Sequence, residues 1–303
     1  MNPKNTALYL ALGEYYVKQA VLSLVSLLLV YGRSRLGFNI IVFTDMPERF
    51  DWLKAWLPLD ARLLTRDQIP ELSGPHGFLL RAKIAVMAQI HDETCGNLLF
   101  IDTDTILRGR LENIFRGVAS GECFLHKMEW PLHKGRKLHP ELCPRDLDFT
   151  LASGTQIQID GETEMWNSGV VGIPATAGAL LRDALELCDR FYDVFPGWHV
   201  EQFSISIVLQ KTRKLHGCRR EVFHYWHNKP IFNKYTGRFF SLLESGNHDE
   251  ALSECERLIP ILVFKMKFRL FLSEGKKWVR GLPGVYYLYK KFFKPCLKFL
   301  FIK

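Results

Sequence analysis

The sequence predicts an α/β fold built on a doubly wound, mostly parallel central sheet, and two observations carry that prediction. Short runs rich in β-branched and aromatic residues alternate with apolar segments at helical spacing through the first hundred residues. Each run is brief and closed by Gly, Asp or Pro, as in chains where a helix follows each strand. The 303 residues, 48% of them apolar, suffice for one large domain with a sizeable core and an appendage.

Taken in order, Thr6–Leu12 is the first expected strand, and Tyr16–Tyr31 follows as a helix that stops at Gly32. Phe38–Thr44 is a second buried strand, closed by Asp45 and Pro47. Trp52–Trp56 suits a short helix, Ala61–Leu64 a third strand and Phe78–His91 a helix. Asn97–Ile101 is the fourth strand. Ligands of such sheets bind beyond the carboxyl ends of the strands. Cys123–Lys127 reads as a strand, and Met128–Asp148, rich in His, Pro, Lys and Arg, as a long irregular loop of the functional or mobile kind. Gln156–Asp160 alternates like a half-exposed strand. Asn167–Ile173 is a buried strand, followed by Pro174 and a helix from about 178 to 195. Glu201–Gln210 begins another helix, and Glu221–Phe223 is a strand leading to His224.

The net charge of +8 is unevenly placed. Residues 265–303 hold eleven Lys/Arg and one acid, Glu274, which leaves the remaining 264 residues at −2. A near-neutral body argues against a nucleic-acid groove. Seven cysteines, an odd number without a CxxC, point to reduced thiols and a cytoplasmic protein. Ala7–Leu12 is apolar, but Glu14 and Lys18 follow at once, so no signal peptide is expected. The longest uncharged run, Gln19–Gly32, falls short of the roughly 20 residues that span a bilayer.

Asp102-Thr103-Asp104 lies directly after the fourth strand. Side chains two apart on extended backbone share a face, so both carboxylates can meet one ion. Oxygen ligands favour Mg²⁺ or Mn²⁺, ions that bridge diphosphates. The plain alternative is a solvated turn capped by Asp. Arg81 and Lys83 are either donor contacts or a solvated helix face. His224 in HYWHNKP is either a ligand or a satisfied buried histidine, and His227 is an alternative ligand. Asn167 and Ser168 open the buried strand NSGVVGI. Glu201 and Gln202 open a helix, where they complement the dipole or meet a polar ligand.

LLFIDTDTIL resembles the metal-binding segment of the GT-A-fold glycosyltransferases of family 8, the glycogenin and bacterial lipopolysaccharide galactosyltransferase group. Arg81-Ala-Lys83-Ile84 is similar to that family's Arg-x-Lys helix, and Trp166-Asn167-Ser168-Gly169-Val170 to its Asn-(Ser/Ala)-Gly-Val strand. Glu201-Gln202 resembles the Asp-Gln pair at the reaction centre. His224-Tyr225 with Lys229-Pro230 resembles the segment whose histidine completes the metal site and whose lysine meets the phosphate. The matches run in family order over about residues 5–230. Three departures stand out: Gly13 where an acid usually contacts uracil, a His224-to-Lys229 spacing one residue short, and Phe203 where another acid is common.

The resemblance implies a GT-A catalytic domain over 1–258, its nucleotide-binding half about 1–115 and its acceptor half about 116–240. It implies a metal-dependent hexosyltransferase using a nucleotide diphosphate sugar, UDP-sugar by family, with Mn²⁺ or Mg²⁺ on Asp102, Asp104 and His224. Ala11, Tyr16, Arg81, Lys83, Thr103, Asn167, Ser168 and Lys229 are then donor contacts, Tyr16 by base stacking. Gln202 is the positioning group if the enzyme retains configuration, and Glu201 the general base if it inverts. The acceptor is a glycan or a lipid-linked sugar. A nucleotidyltransferase would lead one to expect a Gly-rich phosphate loop after the first strand, and LGEYY is not one. A non-catalytic peripheral membrane protein is the reading from a different class.

That last reading rests on residues 259–303, where ILVF, FRLF, VYYLY, KKFF and FLFI interleave with Lys and Arg. Such a helical, basic, aromatic tail suits an anionic headgroup region and predicts a peripheral protein on the inner face of the membrane. The alternative is that the aromatics pack on the domain and the charges are solvated. Gly281, Pro283 and Gly284 are expected to break the tail into at least two helical pieces.

Overall fold

A computed structural model describes residues 4–280 except 33, 141–142 and 213. The chain divides into two compact units, one ending at Trp226 and one beginning at His227.

The first unit opens with β1 (Asn5–Ala11), α1 (Glu14–Tyr31) and β2 (Asn39–Thr44). A 3₁₀ stretch, Pro47–Ala55, stands where a short helix was expected, followed by β3 (Leu59–Leu63), α2 (Ile69–Ser73) and α3 (Ala82–Thr94). Then come β4 (Asn97–Ile101), β5 (Thr105–Leu107), α4 (Glu112–Ala119), β6 (Cys123–Pro131) and α5 (Leu132–Leu138). The unit closes with β7 (Leu147–Thr150), β8 (Gln156–Ile159), β9 (Glu164–Ile173), α6 (Gly178–Val194), α7 (Val200–Gln210), β10 (Leu215–Gly217) and β11 (Val222–His224).

The seven-stranded sheet has the order β10-β6-β9-β4-β1-β2-β3. All neighbours pair in parallel except at β9, which runs antiparallel to both β4 and β6. The first four strands therefore stand 3-2-1-4, and the winding direction reverses between β1 and β4. A crevice opens at such a reversal, beyond the carboxyl ends of the two strands. Ala11 ends β1 there, and Asp102 follows β4 there. β4 is buried at every residue, as the uninterrupted NLLFI predicts for a strand covered on both faces.

One expectation is corrected. Met128–Asp148 is not irregular: β6 runs on to Pro131 against β9, α5 follows, and β7 begins at Leu147. The pairing of β6 with β9 shifts register between Leu125 and Lys127 and again between Met128 and Trp130. Bulged pairing breaks the period-2 alternation by which a strand is recognised, and it re-aims side chains beside a site.

The second unit comprises α8 (Lys229–Tyr235), α9 (Gly237–Glu244) and α10 (His248–Arg280). α10 packs on α8 and α9 and runs unbroken through residue 258, with Pro260 inside it. Leu262 and Met266 are fully buried, whereas Phe264 is exposed. Residues 281–303, with the expected break at Gly281, Pro283 and Gly284, lie outside the described residues. Among the described residues no helix is long and apolar enough to cross a membrane.

Candidate functional site

The Asp102-Thr103-Asp104 turn is pinned from three sides. The Asp102 amide donates to the Gly169 carbonyl of β9 (2.9 Å). The Thr105 hydroxyl donates to the Asp102 carbonyl (2.8 Å). The Thr103 hydroxyl donates to Gln19 Oε1 on α1 (3.3 Å), so its side chain is engaged away from the carboxylates. β11 pairs antiparallel with β5, setting His224 opposite Thr105, and the Tyr225 amide donates to the Asp104 carbonyl (3.0 Å). A two-stranded ribbon thus holds the histidine against the acidic turn.

His224 Nε2 lies 3.0 Å from Asp104 Oδ1 and 3.7 Å from Asp102 Oδ2. The ligand atoms of Asp102, Asp104 and His224 all fall within 4.8 Å of one another. Nδ1 of the same ring donates to Asn167 Oδ1 at 2.8 Å. Holding one ring nitrogen on a protein acceptor fixes ring orientation and tautomer, and points the other nitrogen at an ion. Gly169 completes the cradle, because a Cβ there would run into the His224 ring. Two carboxylates and an imidazole nitrogen are donors suited to Mn²⁺ or Mg²⁺, so the residues fit the implied ion. Burial works to lower the His224 pKa, but Asp104, by charge and hydrogen bond, and then Asp102 outweigh it and hold the ring above its ordinary value.

Lys83 is buried beneath the turn. Its Nζ reaches Asp102 Oδ1 (3.1 Å), Glu201 Oε1 (3.2 Å), the Ser168 carbonyl (2.7 Å) and Ser168 Oγ (3.1 Å), and it lies 5.0 Å from the centre of the Phe100 ring. Burial works to lower the pKa of this ammonium, yet Asp102 and Glu201 hold it above the ordinary value. Glu201 is buried as well. Desolvation raises its carboxyl pKa, with Lys83 pulling the other way, and the Ser168 hydroxyl donates to it at 3.4 Å.

Asn167 joins the ion site to a second polar group. Its Nδ2 donates to Glu129 Oε1 (3.3 Å) and Gln202 Oε1 (3.4 Å), while Gln202 Nε2 donates to Glu129 Oε2 (3.1 Å). Glu129 was missed from sequence because it falls in the bulged end of β6. Burial raises its carboxyl pKa, and Lys127, Asn167 and Gln202 oppose the rise. The sole available signal was an acid flanked by aromatic and basic residues in HKMEW, which has no fixed spacing to the DTD turn.

Other expected contacts lie elsewhere. Arg81 forms a bidentate pair with Asp189 of α6 (2.6 and 2.9 Å) and donates to the Leu72 carbonyl (3.0 Å). It ties α6 to the start of α3 instead of opening into the crevice. Ala11 is buried at the end of β1, and Tyr16 is exposed in the first turn of α1 with its ring 5.6 Å from Tyr15. Beside them the Gly13 amide, at φ +82, donates to Asp45 Oδ1 (2.9 Å) at the end of β2. An acid therefore stands near the position where Gly13 departs from the family pattern. Lys229 belongs to the second unit, and the side chain of His227 lies outside the described residues.

No family model matches the chain, and no curated protein does. Among solved structures it is similar to mouse xyloside xylosyltransferase 1, at 13% identity and TM-score 0.45 over 71% of this chain and 85% of that one. It is similar to the glycosyltransferase GlyE of Streptococcus pneumoniae, at 14% identity and TM-score 0.43, covering 81% of this chain and 50% of that one. The galactosyltransferase LgtC, solved with donor and acceptor sugar analogues, matches at 8% identity and TM-score 0.46 over 70% of this chain and 73% of that one. At these values the likeness is one of loose architecture, and the chemistry rests on the residues of this site.

Proposed function

We propose that this chain is a metal-dependent GT-A glycosyltransferase that moves a hexose from a nucleotide diphosphate sugar, a UDP-sugar, to a glycan or lipid-linked acceptor. The observation that carries the reading is the set Asp102, Asp104 and His224 Nε2, converging at the β1–β4 crevice with Nδ1 held by Asn167. These residues would hold Mn²⁺ or Mg²⁺, which as a Lewis acid supplies positive charge to a departing diphosphate.

The other residues have distinct parts. Lys83 supplies the counter-charge that Asp102 and Glu201 share in a buried setting. Ser168 links Lys83 to Glu201. Gln202, oriented by Glu129 and Asn167, is the positioning group at the anomeric carbon. Glu201 is poorly placed as a general base, because its carboxylate is buried on Lys83, and this supports retention over inversion. Glu129, half-buried beside Gln202, is the carboxylate that would meet an acceptor hydroxyl. Tyr16 and Asp45 flank the base, in keeping with a uridine. The basic, aromatic sequence of the tail supports a peripheral position on the inner face of the membrane, in the cytoplasm, beside a lipopolysaccharide-type acceptor.

The test is a panel of nucleotide sugars with and without Mn²⁺, read by release of free nucleoside diphosphate. Release should require the metal, and Asp102→Asn or Asp104→Asn should remove most of it while leaving the fold intact. Turnover unchanged by a chelator would overturn the mechanism.

A further inference from the structure

Large exposed apolar side chains in the first unit are not scattered. Nine are exposed among its described residues: Tyr16, Trp56, Leu63, Leu79, Leu80, Met128, Val194, Trp198 and Trp226. All but Trp56 fall on segments at the carboxyl edge of the sheet. Leu63 ends β3, Tyr16 follows β1 and Trp226 follows β11. Leu79 and Leu80 precede α3, which connects β3 to the parallel β4 and so starts at this edge. α6 follows the antiparallel β9, so it ends at the carboxyl edge with Val194, and α7 starts there just after Trp198. Isolated exposed apolar groups are ordinary, but a cluster marks a contact surface.

Four of them stand on two segments that are tied together. The segment before α3 is fastened to the last turns of α6. His76 and Phe78 rings lie 5.0 and 4.8 Å from Tyr192, His76 Nε2 is 3.3 Å from Asp193, and Arg81 pairs with Asp189. Leu79 and Leu80 (49% and 45% exposed) are thereby set near Val194 and Trp198 (55% and 56% exposed). This pair of segments borders the start of α7, which carries Glu201 and Gln202. Elsewhere on the same edge α5 and the segment after it present Lys134, Lys137 and Arg145, all exposed and forming no ion pair among the described residues. A cleft of about 480 Å³ lined by Arg136, Pro140, Cys143, Pro144, Arg145 and Asp146 opens there, with Arg136 paired to Asp146.

We infer that the carboxyl-edge face around the crevice is a membrane-docking surface. Leu79, Leu80, Val194 and Trp198 enter the interfacial layer, while Lys134, Lys137 and Arg145 lie against anionic headgroups. Apolar and indole side chains on one edge with cations match the two parts of an anionic leaflet. Resting on the proposed transferase reading, this orientation turns the crevice toward the leaflet and makes the acceptor one that carries a lipid anchor, its sugar presented at headgroup level. The contact is separate from any made by the tail.

Hydrogen–deuterium exchange of the full chain localises the contact. It is measured with phosphatidylcholine vesicles and with vesicles containing phosphatidylglycerol. Amides of residues 76–82 and 194–200 should slow severalfold on the anionic vesicles alone, as should those of 134–138. The variant Leu79→Ser/Leu80→Ser/Trp198→Ser, changed at exposed positions, should lose that protection with an unaltered melting temperature and unaltered metal-dependent donor hydrolysis. Protection confined to residues beyond 259, or no protection, overturns the docking surface whatever the variant does. Donor hydrolysis measured without vesicles judges the transferase reading separately: vesicle protection without any metal-dependent hydrolysis leaves the surface standing and removes the acceptor assignment.

Discussion

Replacing Lys83 by Met tests the electrostatic frame beneath the site. The ammonium is buried and holds Asp102, Glu201 and the Ser168 carbonyl within 2.7–3.2 Å. Without it Glu201, itself buried, is left as an uncompensated charge. Breaking a buried ion pair from one side costs about 3–5 kcal/mol. At about 2–4 °C per kcal/mol for a unit of this size, the melting temperature should fall by about 6–20 °C. The sign of the pH dependence follows from Glu201. Burial raises its folded pKa above the unfolded value, and in the variant only the long Ser168 hydrogen bond is left to oppose that rise. Such an acid binds its proton more tightly in the fold. Its favourable contribution is complete below the unfolded pKa and is lost as pH rises through the folded one. The defect of Lys83→Met should therefore be small in acid and grow toward neutral pH. The double variant Lys83→Met/Glu201→Gln should recover most of the loss at neutral pH, with a coupling energy on the order of 2 kcal/mol. Calorimetry of the four proteins across pH measures this. A single-variant cost under about 1 kcal/mol, or additive effects in the cycle, would refute the buried-pair account.

His224→Ala should raise the Mn²⁺ concentration for half-maximal activity, whereas His227→Ala should change turnover or donor binding; metal titrations of both variants decide, and the reverse pattern would move the ligand to His227. Arg81→Ala should lower the melting temperature, by about 1.5–3 kcal/mol in stability, while kcat/KM per folded molecule stays near wild type; a large loss of kcat/KM would restore Arg81 to the donor site. For the tail, a deletion starting at 265 would remove Met266, which is buried, so the cut belongs after Arg280. The 1–280 chain should stay folded by circular dichroism and bind anionic vesicles more weakly, with the loss diminishing as salt rises.

The parts of the site that were legible in sequence are those with local signals. β4 is a continuous apolar run, and the two aspartates follow it with a spacing of two, so position and shared orientation were both readable. Asn167 and Gly169 were legible as a motif, but their reason was not. The glycine is required by the His224 ring 55 residues later, and such a contact has no trace in local periodicity. Arg81 and Lys83 show the limit most directly. Both lie at the start of α3, and pattern alone gives them the same standing. Tertiary partners separate them: Asp189 on α6 captures Arg81, and Asp102 with Glu201 captures Lys83. Glu129 was lost because bulges erased the strand that carries it. The 3₁₀ stretch at Pro47–Ala55 and the helix α5 were misassigned for a related reason, since both are short and mixed in polarity.

The charges of the site explain why the two captured cations are not interchangeable. Asp102, Asp104, Glu129 and Glu201 gather around Asn167 and Ser168, and like charges this close raise one another's cost of ionisation. Lys83, a compact cation, pairs with Asp102 Oδ1 and Glu201 Oε1 from below, leaving Asp102 Oδ2 and Asp104 Oδ1 directed toward His224. A guanidinium in its place would fork across both carboxylates and occupy the face that a ligand needs. His224 counters Asp104 in its protonated form. When its Nε2 takes up a ligand role it becomes neutral, and the turn then carries two carboxylates with one partial counter-charge. The fold therefore stores a negative deficit at the mouth of the β1–β4 crevice and screens it from below, a polarity that would suit a divalent cation.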